Sequence, residues 1–202
     1  MSETPMTRIQ LENRRRIMEG ALEVFSVEGF RGATLDQISA ASGLSKPNLL
    51  YYFPSKEAIY TRLLTDLLES WLQPLEEMSP EGEPLDEVLR YVQRKLDMSR
   101  DMPRESRLFA NEMLRGAPQI SEVLSGRLRD LVGARAALLS HWMAEGRLKQ
   151  TPPDHLIISI WALTQHYADF EVQVRAVLGP DRDPYPEAAD YLSALFRNLL
   201  AP

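Results

Sequence analysis

Along most of this chain, apolar side chains recur at steps of three and four, the spacing of a helix with one buried face. No segment alternates with the period of two that marks a half-buried strand. A first helix is expected over residues 7–27, with Ile17, Ala21, Leu22, Phe25 and Ser26 inward. Leu35, Ile38 and Ala41 give a short second stripe. A long helix from residue 55 carries Ile59, Leu63, Leu64, Leu67, Leu68, Trp71 and Leu72 as far as Pro74. Further stripes follow over 85–98 (Leu85, Val88, Leu89, Val92, Leu96), 103–114, 120–144, 154–177 and a last helix through Leu192, Leu195, Phe196 and Leu199. Residues 79–84, SPEGEP, read as an acidic, turn-rich linker, and Pro152, Pro153 and the stretch 179–186 as further separators. The expected class is all-α: a three-helix head over residues 1–54 and a helical body over 55–202.

Residues 34–60 carry the densest local information. Thr34 is placed to cap a helix, because its hydroxyl can accept an orphan N–H of the first turn. Gly43 supplies the left-handed residue that reverses the chain. Ser45 is the next cap position, and Pro47 falls in the first turn, where a missing N–H costs little. Pro54 ends this second helix, since the residue before a proline is pushed out of the α region. Two short helices around a tight turn form the layout of a DNA-binding helix-turn-helix, whose second helix enters the major groove. The alternative is a structural hairpin in another helical protein. Against it, the short helix is crowded with groups able to touch phosphates and base edges: Lys46, Asn48, Tyr51 and Tyr52. The DNA-contacting set is therefore Thr34, Ser45, Lys46, Pro47, Asn48, Tyr51, Tyr52 and Lys56. The run Arg14, Arg15, Arg16 is either phosphate-contacting or a solvated face paired with Glu12 and Glu19.

Charge sharpens the division. The 202 residues carry a formal charge of −6, which by itself argues against nucleic acid. Residues 1–56, however, hold seven Lys or Arg against six Asp or Glu. A mildly basic head on an acidic body suits DNA at one end only, and suggests that tight binding needs two heads. With no cysteine, disulfides, thiolate metal sites and cysteine nucleophiles are excluded. The three histidines, His141, His155 and His166, lack metal-ligand spacing, so no metal and no cofactor are expected. The first sixteen residues contain no apolar core region of a secretory signal, and no apolar run is long enough to span a bilayer; no membrane partner and a cytoplasmic location are expected.

The motifs T-L-D-Q-I-S, A-S-G-L-S-K and L-Y-Y-F-P-S-K-E-A closely resemble the N-terminal domain of TetR-type transcriptional repressors. That resemblance implies a homodimer with a DNA-binding head, a ligand-sensing body, and double-stranded operator DNA as partner. The body segments S-W-L-Q-P-L, S-R-L-F-A-N-E-M-L-R-G-A-P and I-W-A-L-T-Q-H-Y-A-D-F are similar to the branch of the family that regulates pyrimidine use and senses uracil and thymine.

The residue chemistry fits such an effector. A pyrimidinedione offers two π faces and an edge of alternating N–H and C=O groups. Trp71 and Trp161 are candidates to wall the faces. Gln165, four residues after Trp161, has an amide able to donate and accept at once. Asp169 is a further acceptor, and Phe109 and Met113 are apolar walls. Few cations fall on the body stripes, which favours a neutral ligand. The competing reading is that the tryptophans are core. For the last two helices, Leu192, Leu195, Phe196 and Leu199 are expected to line a four-helix bundle with a second chain. An enzyme with a repressor-like head remains an alternative, although no phosphate loop, metal pair or Ser-His-Asp set supports one. A DNA binder without ligand is the other.

Overall fold

The computed structural model describes residues 6–202, so most of the lead expected over residues 1–7 lies outside the described residues. Every regular element among them is helical: α1 (Arg8–Gly32), α2 (Leu35–Ser42), α3 (Lys46–Tyr52), α4 (Lys56–Glu76), α5 (Pro84–Asp101), α6 (Pro103–Leu114), α7 (Ser121–Val123), α8 (Arg129–Ala144), α9 (Pro153–Asp169), α10 (Glu171–Leu178) and α11 (Tyr185–Leu200). A π-helical turn, Leu124–Leu128, joins α7 to α8. No helix of the described residues is long and apolar enough to cross a membrane.

The chain forms two compact units. The first takes residues 1–67 and 108–120, the second residues 68–107 and 121–202. The head therefore recruits two segments, 55–67 and 108–120, beyond the residue-54 boundary expected from sequence. Both α4 and α6 supply residues to each unit.

In the first unit, Thr7 opens α1 with a capping box whose partner is Gln10. The helix runs on past Val27 and breaks at Gly29, whose φ of 64° suits a residue without Cβ. Gly20 lets α2 lie close against α1: a Cβ there would fall 2.7 Å from the Ser42 nitrogen. Ile17, Ala21, Phe25, Ile38, Leu49, Ile59 and Leu64 form the dry interior. Tyr60 donates its hydroxyl to the buried Glu112 carboxylate at 3.2 Å, and Glu112 also accepts the Gln119 N–H at 2.9 Å. These bonds attach the turn after α6 to α4.

In the second unit, α5, α8, α9 and α11 surround a core centred on Trp142, Tyr91, Leu96, Ile160 and Phe196. Arg135 donates to the Glu76 and Met78 carbonyls at 2.7 and 3.2 Å, satisfying the end of α4 beyond Pro74. The expected linker over 79–84 is a folded turn. It wraps the buried Glu87, which accepts from the Ser79 N–H at 3.1 Å and from Arg90 at 2.7 Å.

The helix expected over 154–177 is two helices. Phe170 leaves the α region (φ −117°, ψ 34°) although neither proline nor glycine marks the break. Arg107 supports it from outside, donating to the Ala168 carbonyl at 3.4 Å and to Glu171 at 3.1 Å. The expected bundle face also changes. Leu192 and Phe196 are each 1 % exposed within a single chain and belong to its own core. They have no surface left for a partner. Leu195 is half-buried, and Leu199 and Tyr191 are exposed. The helical period explains the error: positions 192 and 196 lie one turn apart on one face, and 191, 195 and 199 on the neighbouring face.

Candidate DNA-reading surface and effector pocket

In the head, α2 opens with a full capping box. The Thr34 hydroxyl accepts the Gln37 N–H at 3.2 Å, and the Gln37 side chain accepts the Thr34 N–H at 2.8 Å. Thr34 is thus first a cap, and its side chain is already engaged. Gly43 sits at φ 64°, ψ 25°, the left-handed turn between the helices, and Arg16 holds its carbonyl at 3.1 Å. Ser45 occupies the N-cap position of α3, but its side chain makes no capping bond. Leu49 is fully buried, which aims the other side of α3 outward. Ser45, Lys46, Pro47, Leu50 and Tyr51 are exposed there, with Asn48 and Tyr52 half-buried. Leu50 was not among the sequence candidates. An exposed leucine on a surface otherwise polar is an apolar group for a thymine methyl.

Several head side chains are held in place from α1. Gln10 donates to the Tyr51 hydroxyl at 3.4 Å, and Asn13 to that of Tyr52 at 3.0 Å. Lys46 forms an exposed ion pair with Asp36 at 3.0 Å. The arginine run is largely engaged within the head: Arg14 lies over the Phe53 ring, Arg15 pairs with Glu12, and Arg16 takes the Gly43 carbonyl.

Lys56, expected in the phosphate-contacting set, is engaged within the head. Its ammonium donates to the Phe30 and Ala33 carbonyls, both at 2.8 Å, and lies over the Phe30 ring at 4.7 Å. It serves the orphan carbonyls at the end of α1, the usual use of a cation at a helix C-terminus.

The second unit brings together Trp71 of α4, Lys95, Met98 and Ser99 of α5, Ser106 of α6 and Gln165 of α9 around a narrow cleft with no room for a water molecule. Asp169, one turn after Gln165, accepts the Ser106 hydroxyl at 2.5 Å. Trp71, Gln165 and Asp169 were expected together, and the structure groups them. Trp161 does not join them. It packs on the core and donates its indole N–H to the Tyr91 hydroxyl at 2.6 Å. Phe109 and Met113 belong to the first unit. His166 stacks on Phe170 with centroids 4.9 Å apart, and no cluster among the described residues could hold a metal.

Lys95 is the residue the sequence reading missed. It is 4 % exposed, and its ammonium lies 5.4 Å from the Trp71 ring centroid. Burial lowers its pKa to about 8, opposed by the Asp169 carboxylate. Burial raises the Asp169 pKa, opposed first by the Ser106 hydrogen bond and then by Arg107 and Lys95. A signal existed: Val88, Tyr91, Val92, Lys95, Leu96 and Ser99 share the inward period of α5. Lys95 is thus one cation on the inward stripe of α5, where few were expected.

Residues 17–63 match the family described as bacterial regulatory proteins, tetR family. Residues 64–202 match the family described as YcdC-like protein, C-terminal region. The chain is 48 % identical over 166 residues to the HTH-type transcriptional regulator RutR of Escherichia coli (strain K12), covering 82 % of this chain and 78 % of that protein. Its fold resembles a TetR-like transcriptional regulator from Rhodococcus sp. RHA1, with a TM-score of 0.69, 22 % identity, and coverage of 96 % of this chain and 98 % of that one. It also resembles AibR, solved in complex with isovaleryl coenzyme A and operator DNA, with a TM-score of 0.68, 14 % identity, and coverage of 91 % and 97 %.

Proposed function

The chain belongs to the tetR family of bacterial regulatory proteins, and on that premise we propose that it is a RutR-like repressor released from its operator by uracil or thymine. Transcriptional regulation through a helix-turn-helix head follows from the family. The palindromic operator, the pyrimidine effector, the homodimer and the cytoplasmic location are the proposed part. The relative is named as a transcriptional regulator and the head matches a regulatory family, which supports regulation over turnover.

The observation that carries the effector reading is the Gln165 amide. It lines the cleft beside Trp71, with Lys95 and Ser106. The amide is half-buried, and a pyrimidine edge would supply both a carbonyl and an N–H to it. Because the cleft has no room even for a water, a ring has to part Trp71, Lys95 and Gln165 to enter. Trp71 lies on α4, which begins at Lys56, directly after the reading helix and Pro54. Ligand-induced displacement of Trp71 would change how the two heads of a dimer are spaced. Release requires that the ligand bind the DNA-incompetent spacing more tightly, since only a difference in affinity shifts the balance.

DNA contact is assigned to Ser45, Lys46, Pro47, Asn48 and Tyr51, with Tyr52 held behind them. For dimerisation, the exposed apolar groups Ile158 and Leu163 of α9 and Tyr191 and Leu199 of α11 are the reading's support, with Leu195 beside them. Two heads then meet half-sites about 34 Å apart.

Calorimetric titration of uracil and thymine into wild type and Gln165→Ala tests the reading. The variant is expected to lose on the order of 1–3 kcal/mol of binding. Its operator affinity without ligand should stay near normal. Wild type that binds neither base would overturn the pyrimidine assignment.

A further inference from the structure

We propose that Gln10 of α1 is a positioning residue for operator binding: it occupies a lone pair of the Tyr51 hydroxyl, so that the O–H proton is what Tyr51 presents to DNA, where it is donated to a backbone phosphate oxygen. This inference rests on the placement of Tyr51 at the DNA surface and deepens it.

The start of α1 fixes which end of the Gln10 amide faces the reading helix. Gln10 Oε1 accepts the Thr7 N–H at 2.8 Å in the capping box. Only the amide oxygen can meet an N–H, so Nε2 is the end turned toward α3, and it donates to the Tyr51 hydroxyl oxygen at 3.4 Å. An amide nitrogen has no lone pair to accept with, so the tyrosine oxygen is the acceptor and its own proton stays available. Gln10 is the hydrogen-bond partner of that hydroxyl among the described residues. The neighbouring pair repeats the polarity, with Asn13 Nδ2 donating to the Tyr52 hydroxyl at 3.0 Å.

Placement favours phosphate over base. In a helix-turn-helix the N-terminal residues of the reading helix face base edges, while the first helix of the motif crosses the strand backbone. Tyr51 stands in the last turn of α3, at the opposite end from Lys46 and Pro47, and is tied to the first turns of α1. A phosphate oxygen accepts and never donates, so a hydroxyl that arrives with its proton outward matches it without rearrangement. The first turn of α1 carries no acidic residue to repel that phosphate. Bracing adds to this. Tyr51 is 71 % exposed, and only Gln10 and the edge of the Tyr52 ring, with centroids 5.1 Å apart, spare it the cost of being ordered on binding.

The test uses the full-length protein and a duplex that the wild type selects from a random-sequence pool. Binding is measured at several salt concentrations for wild type, Gln10→Glu, Tyr51→Phe and the double variant. Gln10→Glu keeps an acceptor for the Thr7 N–H, so α1 stays capped, but its carboxylate draws the Tyr51 proton inward. Tyr51→Phe is expected to weaken binding about tenfold, the scale of a hydrogen bond to a charged group. Gln10→Glu is expected to weaken the wild type about tenfold beyond any loss it causes in the Tyr51→Phe background, where only repulsion between carboxylate and phosphate is left. That excess should persist at salt concentrations that screen the repulsion. Gln10→Met removes the donor without adding charge and should show the same dependence on Tyr51; it replaces Gln10→Glu in the cycle should the latter not fold. An equal loss in both backgrounds would reduce Gln10 to a cap of α1 and leave Tyr51 on the DNA surface. A Tyr51→Phe protein that binds as tightly as wild type would take the hydroxyl out of the interface and overturn both.

Discussion

The Lys56 ammonium lies 2.8 Å from the Ala33 carbonyl oxygen, across 23 residues of chain. This bond, with its twin to Phe30, ties the first turn of α4 to the end of α1. The lysine next to the reading helix is thus engaged inside the head.

Lys56→Ala should leave the salt dependence of operator binding unchanged, because no phosphate contact is lost. It should instead destabilise the protein by about 1–3 kcal/mol, the scale for charge-assisted hydrogen bonds to carbonyls that are then left unmet. Denaturant melts and DNA titrations at several salt concentrations separate the two effects. A flatter salt slope with normal stability would return Lys56 to the DNA surface.

Lys46 behaves oppositely. Its ion pair with Asp36 is exposed on both sides and so adds little to stability. Lys46→Ala should weaken operator binding and flatten the log–log salt slope by roughly one unit, the value for one phosphate contact. Asp36→Asn frees the lysine and should strengthen binding at low salt. An unchanged slope in Lys46→Ala removes it from the phosphate set.

The two faces of α11 should separate under mutation. Phe196→Glu puts a charge in the core of a single chain and should prevent folding. Leu199→Glu, at an exposed position, should give a folded monomer with weak operator binding. Sedimentation alongside circular dichroism distinguishes these outcomes, and a folded, fully dimeric Leu199→Glu protein would move the interface off α11.

The ligand-free protein should be stabilised by Lys95→Met. The folded-state pKa of Lys95, about 8, lies below the 10.5 of an unperturbed lysine. Below pH 8 both folded and unfolded forms carry the proton, and the burial penalty is present in full. Between pH 8 and 10.5 the unfolded chain holds more of the proton, so wild-type stability from this group rises with pH. The advantage of Lys95→Met should be on the order of 2 kcal/mol at pH 7 and should narrow by pH 9.5. Urea unfolding of both proteins at the two pH values measures it. A gap that stays constant would mean that charge burial is not its origin.

What the sequence determined by itself was local. The Thr34–Gln37 box, the left-handed Gly43, the proline after α3 and the amphipathic stripes each depend on residues within one or two turns, so spacing alone placed the helices of the head. Tertiary structure decided what depends on packing between distant segments. Whether Lys95 reaches solvent or is enclosed depends on α4 and α9, not on its own helix; an identical lysine on an uncovered face would extend its head into water. The break at Phe170 is supported by Arg107, more than sixty residues earlier in the chain. Leu192 and Leu195 are equally apolar in the sequence, but a rotation of about 300° between them turns one into the core and leaves the other at its edge. Hydrophobic period fixes that a helix has an inner face; only the neighbouring helices decide where that face ends.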